Sequence, residues 1–263
     1  MKDAITAHMI VKNEEQWVWY ALQSILPYVD KVIVYDTGST DDTIKIIKSI
    51  TSPKIHLELY SSVNASKLVK LRNAQIAATE TNWFMLIDGD EVWPRETILE
   101  LKDTLSQASN LLVAIAIRTW VPVGDVYHFQ DESAGRYEVL GHRGHLNVRV
   151  FKKSEQYRWE GLYPLEAYIH RKSKLPVQQQ TQALLMLKQK YWHMTHLVRS
   201  SVDTHHKRKY EIGIKRILSL PEVFYFKHPD FVPSPFESFS LPEKLIAWFL
   251  TPLLHLKRSM AKI

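Results

Sequence analysis

Short apolar runs alternate with segments of helical period through residues 1–120, the pattern of strands and helices taking turns in an α/β sheet. Residues 5–11 read as a strand, after which Val18, Ala21, Leu22 and Ile25 recur at helical spacing and form one apolar face. A second strand, residues 31–35, is built around Val32, Ile33 and Val34. Ser39, followed three positions on by Asp42, marks a helix start ahead of Ile44, Ile47 and Ile50. Residues 55–60 give a third strand, 67–79 a third helix and 83–87 a fourth strand that stops at Asp88. Pro94 opens a helix with Ile98, Leu101 and Leu105 inward, and residues 111–117 form the next strand. These βα repeats predict a doubly wound, mainly parallel α/β sheet, with ligands gathering at the carboxyl ends of its strands.

Beyond residue 120 the period is lost. Residues 125–145 read as one long functional loop, 146–151 as a half-exposed strand, 203–220 as a basic helix and 221–242 as an irregular connector. Three regions follow: a ligand-binding α/β half at 1–120, a second half at 121–220, and a connector with an amphipathic tail at 221–263. The tail's apolar run, Leu245 to Leu256, falls short of the ~18 residues that suggest a membrane span. Ending in Lys257 and Arg258, it suits an anionic membrane surface, the catalytic core or a second copy of the chain.

Composition narrows the chemistry. With 45% hydrophobic and 24% charged residues the chain is globular, and the absence of cysteine excludes disulfides, thiol catalysis and cysteine-bound zinc. A net charge of +6 favours phosphate-bearing partners. Lys188, Lys190, Arg199, Lys207, Arg208 and Lys209 cluster late in the chain without a nucleic-acid module, so no nucleic-acid partner is expected. The first residues lack a signal peptide's apolar core, which leads to the expectation of a cytoplasmic protein, at most peripheral to the inner face of the membrane.

Asp88-Gly89-Asp90-Glu91 places three carboxylates in four residues directly after an apolar strand. They repel one another unless a cation or solvent intervenes, and hard divalent ions prefer such oxygens together with substrate phosphates. The plain alternative is a solvated acidic turn ahead of the Pro94 helix. Asp36, Thr37, Gly38 and Ser39 follow the second strand, where an Asp can accept from a ribose or base and Gly38 permits close approach. Ordinary capping explains that turn equally well. Glu14 and Glu15 favour a helix's first turn, and Arg72-Asn73 lies on the third helix.

Taken together, Met9 to Glu15, Asp36 to Thr43, Arg72-Asn73 and Asp88 to Glu91 resemble, in order, the motifs of the family 2 glycosyltransferases of GT-A fold. That resemblance implies a Rossmann-like, doubly wound mixed sheet with a C-terminal acceptor-binding region and helical tail. It implies a nucleoside-diphosphate sugar donor (a UDP-sugar foremost), Mn²⁺ or Mg²⁺ on its diphosphate, and transfer with inversion to a saccharide or lipid-linked acceptor in envelope glycan synthesis. It implies that Val11, Asn13, Glu14, Asp36, Gly38, Arg72, Asp88 and Gly89 bind donor and that Asp90 binds metal. Val148 to Lys153, Arg158 to Gly161 and Tyr163 to Glu166 resemble a later family pattern, with Leu165 standing where a histidine falls in many relatives. Glu166 is therefore the expected base, with Glu160 and Asp131 behind it, and His193 the expected additional metal or phosphate contact. His196, three residues on, brings no further partner at metalloprotease spacing, so a dedicated zinc site is not expected. Trp120 and Trp159 flank the acceptor region and are candidates for sugar stacking, or for core packing. A nucleotidyltransferase on a related sheet and a non-catalytic nucleotide-sugar-binding relative are the competing readings.

Overall fold

The structure, a computed structural model, describes residues 3–61, 63–202 and 209–260. Strands β1 (Ile5–Val11), β2 (Lys31–Asp36), β3 (Ile55–Leu59) and β4 (Trp83–Leu86) alternate with helices α1 (Val18–Ile25), α2 (Thr43–Ser49) and α3 (Ala65–Ala77). Then come β5 (Glu91–Val92), α4 (Arg95–Ser106), β6 (Ala114–Trp120), β7 (Pro122–Val123), β8 (Asp125–Phe129), β9 (Tyr137–Val139), β10 (His142–Gly144) and β11 (Leu146–Lys152). The remainder comprises β12 (Tyr157–Glu160), β13 (Ala167–His170), β14 (Leu184–His193), β15 (Ile214–Lys215) and α5 (Leu241–Met260).

Eight strands form one sheet in the order β3-β2-β1-β4-β11-β6-β14-β5. The first four pair in parallel, as the βα repeats predict. Beyond them the sheet is mixed: β11 runs antiparallel to both β4 and β6, β14 parallel to β6, and β5 antiparallel to β14. The parallel pairing read from the βα repeats holds for the first four strands, the whole is the doubly wound mixed sheet that the resemblance implies, and strands from both sides of residue 120 share the same layer.

The inner strands bury both faces, and their alternation supplies two cores. Met85, Ile115, Ile117 and Val150 point to the side packed by α1 and α4. Their neighbours Phe84, Leu86, Ala114, Ala116 and Phe151 point to the opposite side, with Trp159 and Tyr168 of the β12–β13 hairpin. Phe84 stacks on Phe151 at 5.3 Å and meets Tyr168 edge-on at 5.6 Å. On the same face His8 lies 4.7 Å from the Phe84 ring. Its Nε2 is 2.6 Å from Thr79 Oγ1, whose own proton goes to the Gln75 carbonyl, so His8 is the donor.

Several local expectations are corrected. Residues 125–145 are not one loop: β8 and the β9–β10 hairpin occupy them, because β8 pairs with β7 and β15 although the sequence there shows no clean period. Of the basic helix expected over 203–220, residues 203–208 lie outside the described residues, and 209–220 carry strand β15 rather than a helix. The strand expected from residue 111 starts at Ala114, since Leu111 faces solvent, and it continues to Trp120. Helix α2 begins at Thr43, because Ser39 is engaged by Asp36. The connector is irregular, with one short 3-10 turn over Glu222–Tyr225. Among the described residues no helix is long and apolar enough to cross a membrane.

Candidate active site

The site grows from the carboxyl ends of β1, β2, β4 and β14. At the end of β1 the chain turns sharply, and Asn13 takes a left-handed conformation with φ 54°, which asparagine tolerates better than most residues. Asn13 N donates to Ser39 Oγ and its Oδ1 accepts from Thr40 N, at 2.9 and 2.8 Å. Val11 is buried, and its carbonyl accepts from the Thr37 amide and hydroxyl. Asp36 Oδ1 accepts from the Gly38 and Ser39 amides, both at 2.9 Å, and Oδ2 from the Ser39 hydroxyl. Gly38, at φ 97°, supplies the conformation that lets this loop close around the Asp36 carboxylate. Asp36 therefore organises the turn itself, and the turns after β1 and β2 form a single knot.

The Asp88–Glu91 turn follows β4 and leads into β5. A Cβ on Gly89 would stand 2.7 Å from Glu14 Cγ and 3.0 Å from Val11 Cγ2, so only glycine lets the acidic turn lie against the β1 end. Arg149 meets the cluster from β11, whose register slips between Val148 and Val150; such a bulge re-aims the side chain it carries. Its Nη2 lies 2.7 Å from Asp88 Oδ2 and also bonds Glu91 Oε1, while Nε lies 3.3 Å from Tyr191 Oη. Burial would raise the Asp88 carboxyl, but Arg149, Arg72 and His193 together hold it below its ordinary value. Glu91 is fully buried, and burial pushes it up to about 7 against the pull of Arg149.

Asp90 is the unusual member. It is 1% exposed, yet neither carboxylate oxygen has a hydrogen-bond donor. Oδ2 lies 3.4 Å from His193 Nε2 and 3.4 Å from Arg199 Nε, close enough for ion pairing only. His193 reaches it because β14 ends beside β5, with His193 opposite Glu91 in the register. Burial opposes charge on His193, but Asp90 and Glu91 lift it to about 9. Asp88, Glu91 and His193 each offer a ligand atom, all within 4.8 Å of one another.

Arg199 follows β14 and grips Glu14 with two hydrogen bonds, Nε to Oε2 at 2.9 Å and Nη2 to Oε1. Ser200 Oγ donates to Asp41 Oδ2 at 2.6 Å and Ser201 N to Glu15 Oε1 at 2.6 Å, so this segment straps the β1 and β2 turns together. Glu14, expected at the donor, faces Arg199.

Arg72 Nε on α3 lies 3.1 Å from Glu166 Oε1, between side chains only 12% and 7% exposed. The other oxygen, Glu166 Oε2, is buried without a hydrogen-bond partner. Asn73 holds the adjoining hairpin to α3, bonding Trp159 N and O at 3.0 and 2.9 Å. Burial raises the Tyr163 hydroxyl, and the charges of Asp88 and Glu166 raise it further. Leu165 is exposed.

The other candidates sit elsewhere. Glu160 is paired with Arg158 and Lys174 at 2.7 and 3.1 Å, contacts that lower its carboxyl. Asp131 caps a short turn through Ser133 N. His196 lies 3.3 Å from Gln130 Oε1, and burial holds it down to about 3. Trp159 is 5% exposed in the Phe84–Phe151–Tyr168 cluster, which makes it core. Trp120 carries Lys190 and Arg216 over its ring, at 4.1 and 5.3 Å. Arg149, Glu91, Arg199 and Tyr163 are the residues that sequence reasoning left without roles. Glu91 was visible as the third carboxylate of the acidic cluster, and Arg149 carried a hint as a charge in the middle of an apolar strand.

The sequence profile described as glycosyl transferase family 2 matches residues 6–186. The chain is 32% identical over 107 residues to the TPR repeat-containing protein Synpcc7942_0270 of Synechococcus elongatus, covering 41% of this chain and 25% of that protein. It is 30% identical over 92 residues to the SPbeta prophage-derived glycosyltransferase SunS of Bacillus subtilis, covering 35% of this chain and 21% of SunS. The chain thus matches about a quarter of the length of these curated relatives. Among solved structures, S. aureus TarS 1-349 in complex with UDP-GlcNAc aligns at a TM-score of 0.48 and 15% identity, over 73% of this chain and 58% of that one.

Proposed function

Because the chain belongs to glycosyl transferase family 2, we propose that it moves a sugar from a nucleoside-diphosphate donor to an acceptor hydroxyl with the help of a divalent cation. The observation that carries this reading is Asp90, a buried carboxylate with no hydrogen-bond donor on either oxygen. A buried carboxylate that has ion pairs but no hydrogen-bond donors is short of partners, and a cation supplies them. Asp88, Glu91 and His193 beside it add carboxylate oxygens and one imidazole nitrogen, a donor set that suits Mn²⁺ or Mg²⁺. The residues present fit such an ion, with Asp90 and His193 its first ligands. When bound, the ion stabilises the charge that grows on the departing diphosphate.

The chain's own residues carry the remaining work. In this reading the Val11–Asn13 turn, Asp36 and Gly38 form the floor of the nucleoside pocket, Asp88 faces the ribose, and Gly89 keeps the acidic turn against it. Arg72 and Glu14-bound Arg199 supply positive charge toward the phosphates. Arg72 also fixes Glu166 Oε1, leaving Oε2 to accept the proton of the acceptor hydroxyl. The hydroxyl oxygen bonds to the anomeric carbon as the bond to the diphosphate oxygen breaks, so the configuration inverts and a nucleoside diphosphate leaves. Of the three candidate bases, the contacts of Glu166 favour it over Glu160 and Asp131.

We read the donor as a UDP-hexose and the acceptor as a saccharide or lipid-linked sugar of an envelope glycan. Residues 1–120 serve the donor and 121–220 the acceptor. The exposed apolar face of α5, flanked by Lys244 and Lys257, supports peripheral contact with an anionic membrane surface at the cytoplasmic side. Thermal-shift measurements across nucleoside-diphosphate sugars, with and without Mn²⁺, test the reading. A UDP-sugar should raise the midpoint only with the metal, and turnover should release UDP. Pyrophosphate as product, or donor stabilisation indifferent to metal, would overturn it.

A further inference from the structure

Helix α5 is built to be stable at a surface. At its start Glu243 Oε2 accepts from both the Ser240 amide and hydroxyl, at 2.7 and 2.8 Å, a local cap made within the helix's own first turn. One face is pinned to the molecule. Ala247 is buried, Thr251 Oγ1 accepts from Ile212 N at 2.7 Å, and Arg258 grips Glu211 with two bonds of 2.6 Å. The opposite face, Leu241, Leu245, Phe249, Leu253, Leu256 and Met260, follows helical spacing and is 58–79% exposed. An apolar stripe this continuous is not ordinary surface scatter.

Beneath the first turns of the helix lies a cavity of about 600 Å³, walled by Val123, Ile212, Phe239, Ala247, Leu245 and Trp248. Leu245 belongs to both the cavity wall and the exposed stripe, so the cavity opens onto the stripe rather than into a polar cleft. Charged groups at its edge are largely satisfied. Asp125 is bonded to His128 at 2.7 Å, and Glu211 to Arg258 and Gln130. Lys244, also at the edge, has no ion pair among the described residues, nor has Lys257 on the flank of the stripe. Volume, apolar walls and a lone ammonium at the mouth together suit one slender hydrocarbon chain carrying an anionic head.

We propose that this cavity holds one hydrocarbon chain of an anionic membrane lipid, drawn in past Leu245 while the α5 stripe rests in the bilayer interface. The chain enters without crossing water, because stripe and mouth are continuous, and Lys244 meets the headgroup. The cavity wall is linked to the transfer site: Glu211 bonds Gln130 Nε2 at 2.9 Å, and Gln130 Oε1 lies 3.3 Å from His196, three residues beyond His193. The proposal takes from the preceding section only the membrane contact, which explains how the lipid arrives, and not the transfer chemistry.

Two readouts separate chain binding from surface binding. A dansyl-labelled long-chain fatty acid, titrated below its micelle concentration into the full chain, should bind saturably at one site per protein. Ile212→Asp, which charges the cavity but not the stripe, should weaken it by about tenfold or more while leaving flotation with phosphatidylglycerol vesicles intact. Ile212→Ser serves if the aspartate variant fails to fold, with a smaller loss in the same direction. Phe249→Asp/Leu253→Asp should do the reverse, abolishing flotation and sparing the soluble probe. The proposal is overturned if the probe does not saturate, or if a folded Ile212→Asp binds it within about twofold of the parent. It is also overturned if phosphatidylcholine vesicles float the chain equally well, or if sedimentation shows a dimer that the double variant dissolves. Donor thermal shifts on the same variants report the transfer reading separately.

Discussion

At the scale of single residues, the decisive feature is one carboxylate that has too few partners and another that has the right number. Asp90 is buried with ion pairs but no hydrogen bond, and the proposed cation site rests on that feature. Asp90→Asn should remove the Mn²⁺-dependent part of donor stabilisation and lower kcat/KM by about 10²–10³-fold, read by thermal shift and steady-state kinetics. Retained metal stimulation in that variant would remove the basis of the site. Glu166 has one oxygen held and one open. Glu166→Gln keeps the acceptor for Arg72 and loses the proton acceptor. It should therefore lower kcat by about 10²–10⁴-fold with donor binding unchanged. An equal loss in donor affinity would mark Glu166 as a positioning group instead. Gly89→Ala should weaken both activity and stability, because its Cβ meets Glu14 at 2.7–2.8 Å and forces the Glu14–Arg199 pair to move.

At the scale of elements, the site depends on where three late pieces of chain are held. The bulge in β11 turns Arg149 toward Asp88 and Glu91. The end of β14 delivers His193, and the strap after it delivers Arg199. The β12–β13 hairpin is fixed to α3 by Asn73, one residue from the arginine that holds Glu166. Asn73→Ala leaves the Trp159 amide and carbonyl unpaired in a half-buried place and should cost about 1–3 kcal/mol. Because the hairpin leads into the Tyr163–Glu166 turn, kcat should fall with it while UDP binding persists. Chemical denaturation and calorimetric UDP titration distinguish this from simple unfolding, in which both would fail together.

At the scale of the whole molecule, stability is tied to acidity through two buried histidines. Burial holds His8 and His196 down to about 3, so both stay neutral in the fold, whereas an unfolded chain protonates them near 6.5. Between those values the unfolded state binds more protons, and stability falls as pH drops through the window, by up to a few kcal/mol at about 1.4 kcal/mol per pH unit and site. Urea midpoints measured from pH 7 to 4 should decline accordingly. His8→Gln, which retains a donor for Thr79, should flatten the decline. A decline that His8→Gln leaves unchanged would refute the neutral assignment, since Glu91, pushed up to about 7, acts with the opposite sign in both proteins.

What could be read from the chain alone is local. The parallel half was legible because β1, β2 and β4 bury both faces and therefore appear as apolar runs, with helix-period segments between them. The acidic turn was legible because three carboxylates directly after such a run have no structural purpose in the strand itself. The second half was hidden because β8 to β10 are short and show no clean alternation, so pairing with neighbouring β7, within the β9–β10 hairpin and with distant β15, rather than periodicity, makes them strands. For the same reason the partners of Arg149 and Arg199, and the pairing of Arg72 with Glu166 94 residues away, have no signature in their neighbourhoods. Sequence alone determined which chemistry was available and the strand end that carries it. Tertiary structure alone decided which charges meet there, since the energy of a buried ion depends on distance and on water excluded by segments the local pattern does not see.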